Sequence, residues 1–572
     1  MDKSACFERN ILALTQNPSL NARLNVADIT SARYKFQEAR NGELVPEWVD
    51  TQGIVHPLHS MVDPKREAKR IIDSVESDKF LVLLGLGGAY YAEAALERDD
   101  IGMVLVIEYG INNLAGLLNN KDYSRLFKNP RFRLLVDTSG EELKQQILEL
   151  YQPVLYGGIR VIPLLSRTVF ETKLFTQAGS AIEEAIEQLS SDYSVQAHFG
   201  TRWFSNIIRN VKAAAENQDS PPVIRKAAIS AAGPSLTAQI PRLKEKRKEL
   251  FLIATDTSLP CLLGEGINPD AVISIDCQHI SYYHFMNGFP GGASLFLDLA
   301  SPPLLSSVSK KRCFFSSGHP LALYVSRALN TLPLLDTSGG NVTYAALSLA
   351  EQLGAQEIEL YGADFSYPAG ITYARGTYVY PFFEKRQNRF SPLEAQASAF
   401  MYRNPLEKKN SGKASWYYET KTMEFYRKKL EEKCACMEAS VIPVEGHGAP
   451  LKIEQDENKI SQRRQGTKEG AANTNKERPS SPLSQAGNIS KEFLIHYKIK
   501  IGELKDGGKN AADYISSMNN EEKTIFTTLL PTMAALKRRN PQWGFQQLFK
   551  ETKVYCINEI ITIIKQQMDE KY

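Results

Sequence analysis

The stretch NVTYAALSLAEQLGAQEIELYGADFSY, residues 341–367, decides how this chain is read. Gly339 and Gly340 precede it, and its first half has the composition of a helix. A turn at Gly354 leads into a short apolar strand, Ile358–Tyr361, which ends on Gly362 and Asp364. Open α/β sheets bind ligands beyond the carboxyl ends of their strands and at helix N-termini. One feature of each kind falls within this single segment, so it is predicted to form a wall of an active site.

Similar units repeat on the N-terminal side. Strands are expected at roughly 227–231, 250–254, 271–275, 294–298 and 312–315, with helices in most of the gaps, before the strand at 357–361. A second α/β run lies nearer the start: Phe80–Leu84, then Gly85-Leu86-Gly87-Gly88 and a helix, then Met103–Ile107 closing on Glu108, then Phe132–Val136. Strands alternating with helices at this spacing predict doubly wound parallel sheets. The fold class is therefore α/β: a Rossmann-like N-terminal domain over 1–140, a helical connector over 141–222, and a central Rossmann-like domain over 223–454. Residues 1–65 read as an irregular lead-in. Ser220-Pro221-Pro222 marks a boundary. Residues 455–490 are rich in Gln, Asn, Lys, Ser and Gly and nearly devoid of apolar residues, which predicts a disordered linker. Helical periodicity returns over 491–572 and predicts a small helical C-terminal domain.

Composition sets limits. The 572 residues exceed one compact domain. Lys and Arg total 68 against 65 Asp and Glu, a net charge of +3 without a concentrated basic face, which argues against nucleic acid as a partner. Seven scattered cysteines fit neither a disulfide framework nor zinc-ligand spacing and predict reduced thiols. The first 18 residues do not read as a signal peptide, and no apolar run reaches the roughly 18 residues of a membrane span. The expected partners thus exclude a membrane, and the expected compartment is the cytoplasm.

Two glycine turns follow strands. At Gly85–Gly88, with Glu108 ending the next strand, three readings stand: glycines that allow close packing of helix on strand, a site for a nucleoside such as S-adenosylmethionine, or a scaffold presenting a protein-binding face. Tyr90 and Tyr91 would crowd a cofactor there. At Ala231-Ala232-Gly233-Pro234-Ser235, Gly233 permits close backbone approach. Pro234 opens a helix, and Ser235 puts a hydroxyl at that helix N-terminus, where amides favour anions. Asp256 ends the second strand of this run and Asp276 the third. Either is placed to accept from ribose hydroxyls or to hold a cation.

The ordered set Gly-Pro-Ser-Leu, Asp256, Asp276, Gly-Gly-Asn and Gly-Ala-Asp-Phe resembles the central domain of the motility accessory factor (Maf) family of flagellin glycosyltransferases. The run GLGGAYY followed by VLVIE is similar to that family's N-terminal domain. Together these resemblances cover most of residues 60–450. The central domain is similar in turn to bacterial sialyltransferases and to 6-hydroxymethylpterin diphosphokinase-like proteins.

The Maf resemblance implies transfer of a nonulosonic acid (pseudaminic, legionaminic or sialic-acid-like) from its CMP donor to Ser or Thr of flagellin. It makes a CMP-activated sugar and flagellin the expected partners. No obligatory cofactor is implied, although Mg²⁺ has a place in some readings. On this resemblance Gly233, Pro234 and Ser235 would meet the donor phosphate or sugar carboxylate, and Asp256 and Asp276 the cytidine and ribose. Ser338, Gly339, Gly340 and Asn341 would take the carboxylate and phosphate at a second helix N-terminus. Asp364, Tyr367 and Tyr373 would line the reacting centre. Relatives often carry a Thr-His-Ala element where this chain has Thr372-Tyr373-Ala374, and Gly or Asn in place of an Ala before Gly233. A base would then be Tyr373 or another group, with His284 the foremost alternative and His279, His319 and His447 ordinary histidines. Two other functions fit the motifs: an ATP- and Mg²⁺-dependent pterin-type diphosphokinase with Asp256 and Asp276 as metal ligands, and a flagellin-binding assembly factor without catalysis.

Overall fold

The computed structural model describes residues 4–14, 17–76, 78–216, 222–330, 332–411, 415–455, 483–508 and 510–569. The chain forms two compact units, Met1–Thr201 with Lys500–Tyr555 and Arg202–Ile499 with Cys556–Tyr572. Among the described residues no helix is long and apolar enough to cross a membrane.

The first unit begins with more order than the sequence suggests. Residues expected as an irregular lead-in form helices Ala5–Ala13 and Pro18–Val26 and an antiparallel sheet of β1 (Tyr34–Glu38), β2 (Leu44–Val49) and β3 (Val55–Pro57). Short strands and mixed polarity hide this from periodicity; the order comes from tertiary burial of Phe7, Leu24, Trp48 and Leu58. The parallel sheet that follows has four strands: β4 (Asp78–Leu84), β5 (Met103–Glu108), β6 (Phe132–Val136) and β7 (Gly158–Pro163), in the order β6-β5-β4-β7. Strands β4, β5 and β6 are the predicted ones. β7 corrects the boundary at residue 140, because it supplies a strand from within the expected helical connector. As a half-buried edge strand interrupted by Arg160, it carries no continuous apolar run. Within the expected helical connector the chain forms one long helix, Thr172–Ala215.

The second unit is built on a seven-stranded parallel sheet. Its strands are β8 (Lys226–Ser230), β9 (Phe251–Thr255), β10 (Ala271–Ser274), β11 (Ser294–Asp298), β12 (Arg312–Phe315) and β13 (Glu357–Tyr361), with β17 (Ser440–Pro443) at one edge. The order is β12-β11-β10-β9-β8-β13-β17. All six strands read from the sequence are present. Ile229, Ile253, Ile273, Ile358 and Leu360 are buried with Ala345, Ala346, Leu349 and Ala350 of helix Val342–Gln352 and with Leu430 of helix Lys421–Cys436. The small side chains on Val342–Gln352 let that helix lie close to the strands. Between β13 and β17 the chain makes an excursion that includes β14 (Tyr367–Pro368), β15 (Glu407–Ser411) and β16 (Ser415–Glu419), paired in the order β14-β16-β15.

The predicted linker lies mostly outside the described residues; from Leu483 the chain is helical to Glu503. The C-terminal helices are not a domain of their own. Residues 500–555 group with the first unit and 556–572 with the second. In the first unit Asn510 Nδ2 donates to Ile101 O at 3.0 Å, and a Cβ on Gly200 would lie 1.7 Å from Pro531 O. Contact this close admits only glycine at that position. Ile525, Phe526 and Leu529 of helix Asn520–Arg539 are buried, and an apolar helix face needs a core to cover it.

Candidate functional site

Strand order reverses at β8. The chain moves from β8 to β9 on one side, and β13 returns on the other. The loops leaving β8 and β13 therefore diverge over a crevice at the carboxyl edge of the sheet, where ligands of open α/β sheets bind. The turn Ala231–Ser235 forms one lip and Gly362–Ser366 the other.

The two lips are tied by Asp364. Its Oδ2 accepts from Ser235 N at 2.8 Å and its Oδ1 from Ser235 Oγ at 2.5 Å. The helix Leu236–Lys246 therefore already holds a carboxylate at its N-terminus, the position the sequence reading assigned to a donor anion. Gly233 N donates to Gly362 O at 2.8 Å, and a Cβ on Gly233 would lie 2.2 Å from Asp364 Oδ2. Glycine is required there for contact within the protein. Burial holds the Asp364 carboxyl above the usual carboxylate range, against the bonds from Ser235.

A second cluster forms beyond β9 and β10. Asp256 is buried; Oδ2 accepts from Ser274 Oγ at 2.6 Å and Oδ1 from Thr257 N at 2.7 Å. Asp276 Oδ1 accepts from Gln278 N at 2.9 Å. Burial, with the charge of Asp256 added, raises the Asp276 carboxyl above its ordinary value. The turn helix His279–Phe285 then brings in His284, whose ring stands edge-on to Tyr378 with centroids 4.5 Å apart. His284 Nδ1 is buried and, among the described residues, without a partner. Tyr373 and Tyr378 are pushed up by burial and, to a lesser degree, by the charge of Asp256; Tyr373 also responds to Tyr367. Four of the predicted residues, Asp256, Asp276, His284 and Tyr373, thus share one environment, with Tyr367 beside it. Ala374 N donates to Ala232 O at 3.0 Å, which joins this cluster to the turn of β8.

The predicted Ser338–Asn341 group is bonded differently. Asn341 caps helix Val342–Gln352, its Oδ1 accepting from Tyr344 N at 3.0 Å. Ser338 Oγ and the Tyr344 hydroxyl both donate to Asp336, at 2.7 and 2.8 Å. Gly339 leaves room for the Tyr344 ring and Gly340 for Tyr426. Ser338, Gly339 and Asn341 are thus engaged at the start of this helix, and Gly340 against a neighbouring one.

A loop the sequence reading did not connect with the site completes it. Val444–Ala449, following β17, lies against both lips. Gln239 Nε2 donates to the carbonyls of Val444 and Glu445, and His447 N donates to Ser235 Oγ at 2.8 Å. Ala449 N donates to Ser366 Oγ at 2.8 Å. Beside Asp364 this loop encloses a cavity of about 290 Å³. The one available signal was the pair Gly446 and Gly448 around His447. A larger open concavity of about 1030 Å³, near Arg225 and Lys226, sits at the opposite edge of the sheet, away from the strand ends and loops that carry these groups.

The N-terminal glycine turn is closed by the protein itself. Leu86 N donates to Glu108 Oε2 at 2.8 Å, and Glu108 Oε1 accepts from Arg167 Nη2 at 2.9 Å; both side chains are fully buried. Gly88 N donates to His59 Nε2 at 3.0 Å, and a Cβ on Gly87 would lie 2.7 Å from the same atom. The rings of Tyr90 and Tyr91 stand edge-on to His59. The glycines here serve close packing, and the acid that a ribose would need is already paired.

Comparison with known proteins agrees with this architecture. The Maf glycosyltransferase of Magnetospirillum magneticum AMB-1 superposes with a TM-score of 0.58 over 98% of this chain and 95% of that one, at 14% sequence identity. The fold is that of a Maf glycosyltransferase. Residues 201–370 match the family described as 6-hydroxymethylpterin diphosphokinase MptE-like. An uncharacterized protein of Treponema pallidum (strain Nichols) is 36% identical over 153 residues, covering 26% of this chain and 54% of that protein. A second from the same organism is 30% identical over 164 residues, covering 28% of this chain and 78% of that protein. The chain belongs to the same family as this second protein, and its match spans about half the length of the first.

Proposed function

We propose that this Maf-fold chain is a glycosyltransferase that moves a nonulosonic acid from its CMP donor to Ser or Thr hydroxyls of flagellin. The observation that supports it most is the fold shared with a Maf glycosyltransferase along nearly the whole chain, with the Gly-Pro-Ser and Gly-Ala-Asp turns at the crevice between β8 and β13. Asp256 and Asp276 meet the ribose and cytidine, since two neighbouring carboxyls accept well from hydroxyls. Tyr373 and Tyr378 close over the reacting sugar and exclude water. Asp364 positions rather than reacts: with both oxygens bonded, it fixes Ser235 and the loop after β17. Gly233 and Pro234 shape the turn, and Ser338–Asn341 stay with the helix they cap. Intact-mass spectrometry of flagellin from cells with and without this gene tests the reading; an unchanged mass refutes it. The reaction takes place where flagellin is made, in the cytoplasm.

The match of residues 201–370 to the diphosphokinase family supports a second reading, pyrophosphoryl transfer from ATP to a pterin-like alcohol, with Asp256 and Asp276 binding Mg²⁺. Thermal shift separates the two. CMP raises Tm under the first and ATP with Mg²⁺ under the second.

A further inference from the structure

A run of aromatic rings leads outward from the acid cluster beyond β9 and β10, and it ends on a cation. The rings belong to the excursion between β13 and β17. Tyr378 stands against His284, and the Tyr373 ring lies 6.1 Å from that of Phe400 on helix Leu393–Met401. Phe383, buried on helix Val379–Glu384, meets Phe400 edge-on at 6.0 Å and fixes its ring. Just past the end of Leu393–Met401, the Arg403 guanidinium lies over that same ring, 5.1 Å from its centroid. Its charge is felt at Tyr378, where it acts against the upward push of burial, Asp256 and Asp276. The Arg403 side chain is exposed, and among the described residues no carboxylate pairs with it and no hydrogen bond holds it.

The donor of the proposed reaction carries a negative charge on its phosphate and another on the carboxylate at the anomeric carbon. Asp256 and Asp276 repel both, so a site that admits this donor needs a positive charge on the sugar side. We propose that Arg403 receives the carboxylate of the donor sugar and so selects acidic sugars over neutral ones, an inference that rests on the glycosyltransferase reading above. A guanidinium is a planar fork that matches a carboxylate with two parallel N–H···O bonds. Phe400 supports one face of it and leaves the N–H edges free to donate. Position favours the carboxylate over the phosphate. With the ribose and cytidine at Asp256 and Asp276 and the sugar beneath Tyr373 and Tyr378, the ring that Arg403 covers is the one beside Tyr373. The other cations of the excursion are placed elsewhere: Arg386 stacks on Phe382 at 3.8 Å, Arg375 acts at Tyr380, and Lys409 is paired with Glu419 at 2.7 Å. Arrival of the sugar strips water from the guanidinium, and the lower dielectric strengthens the pair it forms.

The test is calorimetric titration of the full chain with CMP, which has the phosphate alone, and with CMP-N-acetylneuraminic acid, which has the phosphate and the carboxylate. Wild type, Arg403→Gln, Arg403→Lys and Arg386→Gln are compared. Wild type is expected to bind the CMP-sugar more tightly than CMP. Arg403→Gln should weaken the CMP-sugar by about 10-fold, with its affinity for CMP and its Tm without ligand unchanged. Arg403→Lys keeps the charge without the fork and should recover only part of the loss. Arg386→Gln, the other arginine stacked on a ring of the excursion, should change neither affinity. The assignment is overturned, with the function still standing, if Arg403→Gln binds both probes as wild type does, if it weakens both alike, or if wild type shows no preference for the CMP-sugar. If wild type binds neither probe, the glycosyltransferase reading falls and the assignment with it.

Discussion

The chain contains two glycine turns of nearly the same design, one after β4 and one after β8, and they end differently. The acid ending the strand beside the first turn, Glu108, is fully buried against Arg167. In the second unit Asp256, Asp276, Asp298 and Asp364 stand at strand ends or just beyond, and among the described residues none of them has an ion pair. Hydroxyls and amides hold them instead: Ser274 and Thr257 at Asp256, Ser235 at Asp364, Ala300 N at Asp298. A buried acid paired with arginine is spent on the fold. Buried acids held only by neutral donors keep a field that a ligand's hydroxyls, or a cation, can answer. The first turn is closed by a buried ion pair and the second by neutral donors, and it is the acids beyond the second that we propose meet a ligand.

The largest expected effect comes from breaking the closed turn. Arg167→Met leaves Glu108 buried without its cation and should cost about 3–5 kcal/mol in urea unfolding. A loss below about 1 kcal/mol would mean that the pair is solvated and the turn open.

At the second turn Asp364→Ala strands Ser235 N, Ser235 Oγ and Gly448 N. It should cost about 1–3 kcal/mol and abolish glycan addition. Retained addition would remove Asp364 from the site.

Glycine substitutions sharpen the contrast. Gly87→Ala and Gly233→Ala each force a Cβ into occupied space and should cost about 1–3 kcal/mol by overpacking. Only Gly233→Ala should also weaken the thermal response to CMP.

A smaller effect should appear in pH. Burial pushes the Asp298 carboxyl up to about 6 from 3.8. The folded protein therefore keeps a proton there that the unfolded chain has released. Its contribution is complete below pH 3.8 and is lost as pH rises through about 6. Asp298→Asn should flatten this part of the Tm profile, and an unchanged profile would place the titration elsewhere. The smallest effect is none: S-adenosylmethionine should leave Tm unmoved, because Glu108 is fully buried and bonded to Leu86 N, Tyr109 N and Arg167, out of a ribose's reach, and a rise would reopen the first turn.

Much of this was legible in residues alone. The strands of both parallel sheets announce themselves as short apolar runs between glycine turns, since a strand covered on both faces has no polar side to show. The cap at Asn341 and the acids at strand ends follow from local rules. Asp256, Asp276, His284 and Tyr373 could each be named from the sequence, but with separate roles; that they share one environment came from the structure. The sheet β1–β3 and strand β7 were not, because half-buried edges share their composition with loops.

Sequence by itself determined the doubly wound class and the chemistry available at each strand end, because hydrophobic period and turn residues act over a few positions. Only the tertiary structure decided which groups were consumed. Arg167 lies 59 residues from Glu108 and Ser235 lies 129 from Asp364, separations across which no local pattern carries information. The desolvation that makes each pairing matter exists only once the sheets have formed.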